Sequence, residues 1–183
     1  MNNIECIVAI DNNYGLAKNG QIPWKSKTDM LFFKQKTINN IVIMGSKTLL
    51  SLPKGKPLID RLNIVVTHDT NKYVNEIHDN LLFFDEITLL DFIHHPNKYV
   101  PLNSHKYLKM DYKMYIIGGQ QIYNLLYKYC STIWLTKIKA NYECDLIFSK
   151  EILVSFNTSV LEYENDELEI VKLTNELFSG SDY

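Results

Sequence analysis

Residues 114–126, MYIIGGQQIYNLL, join a short run of branched and aromatic residues to a segment of helical period through two successive glycines. The run that begins at Met114 is typical of a strand buried on both faces of a sheet. After Gly119, Ile122 and Leu126 mark one face of a helix. Paired glycines at a strand end let a ligand or another backbone segment come close, and the positive end of the following helix points at that gap. The stretch therefore predicts a strand–turn–helix unit with room for a ligand at the turn.

Similar strand-like runs recur along the chain, separated by segments of helical period. The other runs are CIVAI at 6–10, IVIM at 41–44, NIVVT at 63–67, LLFF at 81–84 and TIWLTKI at 132–138. Ser26 can cap a helix that extends to about Thr37, and Asp85 can cap another. Strands that alternate with helices predict an α/β fold with a mostly parallel central sheet flanked by helices. Segments 153–164 and 167–175 predict antiparallel strands at an edge of that sheet.

The length of the chain bounds its organisation. A chain of 183 residues is long enough for one well-buried core, whereas two domains of half that size would each be marginal. We expect one domain over residues 1–177 and a flexible tail over 178–183. The stretch 94–113, with two prolines and three histidines, is expected to be a long surface loop.

Charge and cysteine usage argue against several classes of function. The formal net charge is −2 and the basic residues are scattered, so no basic stripe is available to nucleic acid or to an anionic membrane. The N-terminus lacks the features of a secretory signal, and no apolar run approaches transmembrane length, which favours a cytoplasmic protein. The three cysteines lack metal-ligand spacing, and His94 and His95 lack the i, i+4 spacing, so we expect no metal site.

Another glycine turn follows the run at 41–44, where the sequence continues GSKT. In chain order this is the first turn, and the turn at Gly118 and Gly119 is the second. Backbone N–H groups at a helix start, helped by the Lys47 ammonium and the Thr48 hydroxyl, can bind a phosphate. The pattern is not a P-loop, because Ser46 and Ile41 stand where that motif requires glycines. Taken alone, this turn is also compatible with a capped surface helix.

A third strand end adds to this anion chemistry. The run NIVVTHD places Thr67 and His68 directly after a buried strand. The chain has no G-x-G-x-x-G, and no acidic residue closes the next strand to hold a ribose 2′-hydroxyl. A hydroxyl and an imidazole suit a 2′-phosphate instead. Together with the two glycine turns, this pair indicates a phosphorylated dinucleotide, NADPH rather than NADH.

One acidic residue stands in an apolar setting at 19–33, NGQIPWKSKTDMLFF. On a helix, Asp29 shares a face with Phe32 and Phe33, which places its carboxylate over an apolar slot. Burial of an ionised acid without a partner is costly, so a bound group with donors would explain the arrangement. A plain acid in the first turn of a helix is the alternative.

Read together, these segments resemble the dihydrofolate reductases. The matching strings are CIVAIDNNYGLAKNGQIPW, the acid five residues after that Trp, IVIMGSKT, KPLIDR, NIVVT, IIGGQQIY, and WLTKI followed by ECDLIF. They occur in the order and spacing of that family, from about residue 4 to about 149. The resemblance implies hydride transfer from NADPH to C6 of dihydrofolate, with a proton reaching N5, to give tetrahydrofolate for thymidylate and one-carbon metabolism.

The resemblance also implies roles for individual residues. Asp29 would bind the 2-amino group and ring nitrogen of the pterin with support from the Thr136 hydroxyl, Trp24 would position a water, and Ile22 would close over the nicotinamide. The remaining substrate-binding residues would be Ile7, Val8, Ala9, Met30, Phe33, Leu52, Leu58, Arg61, Ile117 and Tyr123. The cofactor-binding residues would be Ala9, Leu16, Gly20, Gly45, Ser46, Lys47, Thr48, Thr67, His68, Ile117, Gly118, Gly119, Gln120, Gln121, Ile122 and Tyr123. In the family a cis peptide joins the residues that correspond to Gly118 and Gly119.

The chain departs from the family at several positions. Ala17 stands where the loop commonly has Gly, Ser46 replaces a common basic residue, Leu49 replaces a frequent Trp, and Asp60 precedes Arg61 where Gly is frequent. Ser46 and His68 predict a weaker preference for NADPH over NADH, and Asp60 could form an ion pair with Arg61.

Two other functions stay open: a reductase of another pterin-like or pyrimidine ring, and a non-catalytic binding module. The expected state is a monomer, unless the chain is part of a larger thymidylate-synthesising protein.

Overall fold

The computed structural model describes residues 4–175, and its strands follow the apolar runs of the sequence. The strands are β1 (Ile4–Ile10), β2 (Gly15–Ala17), β3 (Ile41–Gly45), β4 (Leu62–Val66), β5 (Leu81–Phe84), β6 (Met114–Gly118), β7 (Thr132–Ile138), β8 (Leu146–Ile147), β9 (Thr158–Glu164) and β10 (Leu168–Thr174). Six of them coincide with the six predicted buried runs to within two residues.

The helices are α1 (Lys27–Thr37), α2 (Ser46–Ser51), α3 (Glu86–His94), α4 (Gln120–Leu126) and α5 (Lys150–Val154). The two predicted N-caps are confirmed. Ser26 Oγ accepts a hydrogen bond from the backbone N–H of Asp29 at 3.3 Å, and Asp85 Oδ1 accepts one from the N–H of Thr88 at 2.7 Å. These bonds satisfy N–H groups that a helix start leaves without partners.

Eight strands form one sheet in the order β5-β4-β3-β6-β1-β7-β10-β9. Neighbours from β5 to β7 run parallel, whereas β10 is antiparallel to both β7 and β9. The mostly parallel sheet with an antiparallel C-terminal edge is therefore confirmed. The carboxyl ends of β3, β6 and β1 lie side by side at one edge of the sheet, which is where α/β proteins bind ligands.

Helices cover both faces of the sheet, as the fold class requires. On one face, Leu89 and Phe92 of α3 and Leu126 of α4 pack in the main core. On the other, Phe33 of α1 and Leu49 of α2 pack against a second group of buried strand residues. The strands are apolar on both sides because both sides are covered.

Two predictions need correction. The stretch 94–113 is not simply a surface loop: His94 ends α3, short 3-10 helices span Pro96–Lys98 and Leu102–Tyr107, and Val100 and Ser104 are buried. The active-site loop predicted from GLAKNGQIPW contains a strand, since β2 pairs with β8 in a separate two-stranded sheet. Within 4–175, no helix is long and apolar enough to cross a membrane. The predicted tail, 178–183, lies outside the described residues.

Candidate functional site

The two glycine turns meet at the carboxyl edge of the sheet. Strands β3 and β6 are neighbours, with Met44 opposite Gly118. A Cβ built on Gly119 would lie 3.4 Å from the hydroxyl oxygen of Thr48 in the other turn. A Cβ on Gly45 would lie 3.4 Å from Ile122 Cγ1. The two turns thus lie side by side at the carboxyl edge, where α/β folds form their ligand-binding crevice.

The helices that start at these turns differ from α1 and α3 in their first residues. Gly45 and Gly119 are the N-caps of α2 and α4, and neither helix start has a side-chain cap. First-turn N–H groups without a side-chain acceptor are free to bind an anionic ligand. The crevice therefore combines close backbone approach with donors for phosphate oxygens.

Gly118 and Gly119 are joined by a cis peptide, as the resemblance implies. Gly118 has a φ of +116°, and a Cβ there would lie 3.1 Å from the hydroxyl oxygen of Tyr123. That hydroxyl donates a 3.0 Å hydrogen bond to the carbonyl of Ile7. Burial raises the pKa of Tyr123 well above its usual value, so the phenol stays a neutral donor. The second turn is thereby linked to the middle of β1.

Asp29 lies on the side of this crevice formed by α1 and β7. Its pKa is raised because burial disfavours the carboxylate, and a hydrogen bond from the Thr136 hydroxyl offsets part of this shift. Thr136 is 1% exposed, so its donor is fixed in the sheet. A carboxylate has about four lone-pair sites, and one donor leaves capacity for a ligand with two N–H groups.

Apolar side chains form the wall beside Asp29. The residues Ile7, Phe33, Leu52, Leu58 and Ile117 belong to one apolar group. Ala9 packs in a second group with Trp24 and Phe32. Val8 faces the opposite core, so only its backbone can take part in the site. A flat aromatic ring suits a slot of this kind, in which one carboxylate fixes its orientation.

Trp24 is buried, but its indole Nε1 has no partner in the structure. A buried donor without an acceptor is costly, and an ordered water or a ligand atom can satisfy it. This orphaned donor fits the predicted role of Trp24 in holding a water beside the pterin.

A family model described as "Dihydrofolate reductase" matches residues 3–178 of the chain. The chain belongs to the dihydrofolate reductase family. Its relatives include the bifunctional dihydrofolate reductase-thymidylate synthase of Daucus carota, 32% identical over 151 residues, which cover 77% of this chain and 27% of that protein. The dihydrofolate reductase of Heliothis virescens is 29% identical over 158 residues, which cover 79% of this chain and 78% of that protein.

A comparison with a solved structure supports the same fold. Dihydrofolate reductase from Enterococcus faecalis, complexed with NADP(H) and RAB-propyl, matches with a TM-score of 0.73 at 20% identity, covering 95% of this chain and 96% of that one. The chain spans 27% and 31% of the two bifunctional relatives from Daucus carota and Paramecium tetraurelia. The dihydrofolate-reductase-like fold inferred from the sequence is confirmed.

Arg61, the family's expected carboxylate-binding residue, is held from two sides. Its Nε donates to the carbonyl of Ile59 at 2.9 Å, and its Nη1 donates to the Thr37 hydroxyl of α1 at 3.0 Å. Burial lowers the pKa of Arg61, and the Asp60 charge opposes this. Among the described residues, no carboxylate lies within the 4.0 Å of an ion pair with Arg61. The local pair with Asp60 anticipated from the sequence is therefore not formed, and three of the five guanidinium donors remain for a ligand.

The predicted adenosine-phosphate residues lie beside the first turn. Gly45 at the end of β3 is paired with Val66 at the end of β4, so Thr67 and His68 follow directly next to Ser46. His68 and Lys47 are exposed. Thr67 Oγ1 accepts a 3.3 Å hydrogen bond from the N–H of Asp69. Their contact with a reductase cofactor stays a prediction.

Six other predicted residues lie on the loop after β1, on α1 and α4, and in the core. Ile22 is 62% exposed and Met30 is 67% exposed, whereas the Leu16 side chain is buried in the main core. Gly20 has a φ of +75° with open space around it. The N-terminal residues of α4, Gln120 and Gln121, lie at the second turn. The binding roles of these six residues stay predictions.

Sequence reasoning missed the residues that hold the active-site loop. Asp11 Oδ1 accepts hydrogen bonds from the N–H groups of Asn13 and Gly15, both at 2.8 Å. Asp145 Oδ2 accepts one from the N–H of Asn19 at 2.7 Å. Asp11 directly follows a buried strand and precedes two asparagines, and that turn signal could have identified it.

Proposed function

We propose that this protein is an NADPH-dependent dihydrofolate reductase, which converts dihydrofolate to tetrahydrofolate. The observation that carries the proposal is the position of Asp29. Its carboxylate meets the Thr136 hydroxyl beside an apolar slot that adjoins the crevice between the two glycine turns. A slot with one acid suits a flat ring with adjacent N–H donors, and the adjoining crevice suits a phosphorylated dinucleotide.

The cofactor site is assigned to the residues around the two turns. Gly118 and Gly119 are suited to the pyrophosphate and nicotinamide because a Cβ would already fill the space near Tyr123 and Thr48. The uncapped first turns of α2 and α4, with Lys47 and Thr48, supply donors for phosphate oxygens. Thr67 and His68 are proposed for the adenosine 2′-phosphate. When bound, NADPH supplies the hydride.

The chain's own residues orient the substrate and arrange its proton supply. Asp29, ionised, accepts from the 2-amino group and the neighbouring ring N–H, and so fixes the face that the pterin presents. The carbonyls of Ile7 and Ile117 lie toward its 4-position. The Trp24 N–H orients a water that can protonate N5, which Asp29 itself does not touch. Arg61 forms a bidentate pair with the glutamate carboxylate.

The loop that carries Gly20 and Ile22 is proposed to close the site against water. Its base is fixed, because Asp145 bonds Asn19 and its own N–H donates to the Ala17 carbonyl at 3.0 Å. Its tip is exposed, and Gly20 gives it conformational freedom. A fixed base with a free tip is the arrangement of an active-site lid.

The decisive experiment compares Asp29→Asn with wild type. In wild type, mixing protein, NADPH and dihydrofolate removes the nicotinamide absorbance. In Asp29→Asn, loss of a charge-assisted pair of about 2–5 kcal/mol should lower kcat/KM for dihydrofolate roughly 30- to 4,000-fold, with NADPH affinity unchanged. The control is Asp166→Asn, at an exposed acid of the β9–β10 turn.

Full turnover in Asp29→Asn would refute the assigned role. Binding of both ligands without turnover in wild type would favour a binding module instead. A preference for another pterin or pyrimidine in the same assay would favour a different reductase.

We further propose that residues 1–177 form one domain and that the protein is a cytoplasmic monomer without a nucleic acid or membrane partner. The alternative is a joined or associated thymidylate synthase, which the bifunctional relative from Daucus carota suggests.

A further inference from the structure

A buried carboxylate that the proposed chemistry does not use lies beneath α1. Glu5 is 4% exposed in the interior of the sheet. Its Oε2 accepts a 2.6 Å hydrogen bond from Trp134 Nε1, and its Oε1 accepts a 2.5 Å bond from Lys113 Nζ. The Trp134 N–H and the Lys113 ammonium each donate to one oxygen of this buried carboxylate, so both of its oxygens have a partner.

The face of the sheet that carries Glu5 also carries the substrate site. Side chains alternate along a strand, so Glu5 and Ile7 of β1 share one face, together with Trp134 and Thr136 of the neighbouring β7. The register places Ile7 opposite Trp134 and Ala9 opposite Thr136. Trp134 therefore lies on the same strand face as Thr136, two residues before it.

Helix α1 rests on this face through one stripe of side chains. Asp29, Phe32 and Lys36 are spaced i, i+3 and i+7, which places them on one side of the helix. The Phe32 ring packs edge-on against Trp134 at 5.8 Å between centroids. Lys36 Nζ lies 3.3 Å from the centroid of the Trp134 ring. Two residues of β7 therefore support this side of α1. Trp134 contacts Phe32 and Lys36, and Thr136 lies next to Asp29.

Charged side chains of both signs surround the indole of Trp134. Lys172 Nζ lies 5.5 Å from the Trp134 ring centroid on the side of β10. Burial lowers the pKa of Lys36; the negative charges of Glu5 and Glu162 oppose this, whereas the positive charges of Lys113 and Lys172 add to it. A cation over an indole is attracted by the negative face of the ring, and this attraction depends on the tilt of the ring. The hydrogen bond from Trp134 to Glu5 fixes that tilt.

We propose that Glu5 is a positioning residue for the substrate: it fixes the plane of Trp134, on which Phe32 and Lys36 rest, and so holds α1 where Asp29 meets Thr136. An apolar residue at position 5 would leave the Trp134 N–H and the Lys113 ammonium without their acceptor, which is costly. It would not orient the indole. The inference rests on the proposed function for its effect on catalysis, but the geometry it describes exists without a ligand.

The test uses Glu5→Gln, Trp134→Phe and the double variant, with Glu169→Gln as control. Glu169 is a sheet carboxylate on β10 that faces Lys137 at 3.8 Å, so its change removes the same charge away from α1. The first readout is the titration of Asp29 in the free protein, followed by carbon-13 NMR of the carboxyl group and assigned with Asp29→Asn. The second is the Kd of dihydrofolate and of NADPH from calorimetry, and the third is the Tm.

In Glu5→Gln, we expect the Asp29 midpoint to move to higher pH, because the Thr136 donor is no longer held against it. The Kd of dihydrofolate should rise five- to tenfold, with the Kd of NADPH unchanged. In the Trp134→Phe background, the same change at Glu5 should have little further effect, since Glu5 acts through the indole. A lower Tm alone would indicate a merely structural role.

The proposal is overturned if Glu5→Gln matches Glu169→Gln in the Asp29 midpoint and in the Kd of dihydrofolate. It is also overturned if the effects of Glu5→Gln and Trp134→Phe simply add. Should Glu5→Gln fail to fold, Trp134→Phe alone must show the shifted midpoint. Wild type without NADPH oxidation would refute the proposed activity only, because the Asp29 titration needs neither ligand.

Discussion

A hydrogen bond from the Thr136 hydroxyl lowers the pKa of Asp29, against the larger effect of burial, and so relates α1 to β7 at the proposed substrate slot. Thr136→Val keeps the shape of the side chain but removes this donor. Hydrogen bonds to charged groups contribute about 1.5–3 kcal/mol, so dihydrofolate affinity should fall at least roughly tenfold. The pKa of Asp29 should rise, and the pH at which binding is half-maximal should rise with it. Calorimetry between pH 4 and 8 measures both effects.

Thr132→Val is the matched control for this experiment. Thr132 is also buried on β7 and lies opposite Glu5 rather than beside Asp29. If both variants shift the pH midpoint equally, the hydroxyl of Thr136 has no specific role at Asp29.

The raised pKa of Asp29 also makes a prediction about stability. Burial raises its folded pKa above the unfolded value of about 3.9, so the ionised acid favours the unfolded state. The cost is absent below about pH 4 and complete above the raised folded pKa. Asp29→Asn should therefore raise the Tm of the free protein at pH 7 and leave it unchanged at pH 3.5. An equal Tm difference at both pH values would contradict this account.

The sequence predicted those parts of the fold that depend on local patterns. Apolar runs marked the six parallel strands, and Ser26 and Asp85 marked helix starts, because a buried strand and an N-cap are encoded within a few residues. The sequence did not predict the strands β2 and β8, because strands of three and two residues are too short to show a periodic pattern. The burial of Ser104 was not predicted either, because its hydroxyl donates to the carbonyl of Asp79, which is distant in sequence.

The residues of the candidate site also differ in how well the sequence alone could predict them. Motif residues such as Asp29 and Gly119 could be named from the sequence, because each belongs to a compact string. The support of Arg61 by Thr37, and of Trp134 by Glu5, joins residues 24 and 129 positions apart. Contacts at such separations depend on sheet order, which no local pattern specifies.

The second glycine turn should not tolerate a side chain at Gly118. A φ of +116° strains any other residue, and an added Cβ would lie 3.1 Å from Tyr123 Oη. Gly118→Ala should therefore cost about 1–3 kcal/mol of stability and displace the tyrosine that bonds Ile7. We expect NADPH affinity to fall at least tenfold, measured by fluorescence titration. Gly55→Ala is the control, since its φ is +61° but its nearest contact is 3.9 Å away; an equal loss of affinity there would show that strain alone is responsible.

At the base of the proposed active-site loop, position 15 has room only for a glycine. A Cβ on Gly15 would lie 2.5 Å from both Cβ and Sγ of Cys144 and 2.9 Å from Cγ of Asp11. Overpacking of this kind costs about 1–3 kcal/mol, so Gly15→Ala should lower the Tm and slow turnover. Cys144→Gly in the same chain should restore part of the loss, because it removes the two nearest atoms. If the second change gives no recovery in Tm or kcat, the contact with Cys144 is not the cause.

Asp60 precedes Arg61, the proposed carboxylate-binding residue, and has a left-handed conformation with a φ of +58°. Its negative charge repels a substrate carboxylate that approaches Arg61, although solvent screens the effect at an exposed position. Asp60→Asn removes the charge and keeps a residue type that tolerates this backbone. We expect the KM for dihydrofolate to fall roughly two- to threefold at low salt, in keeping with a screened surface charge. Dihydropteroate, which lacks the glutamate, should show no change; an equal gain with dihydropteroate would place the effect at the pterin rather than at Arg61.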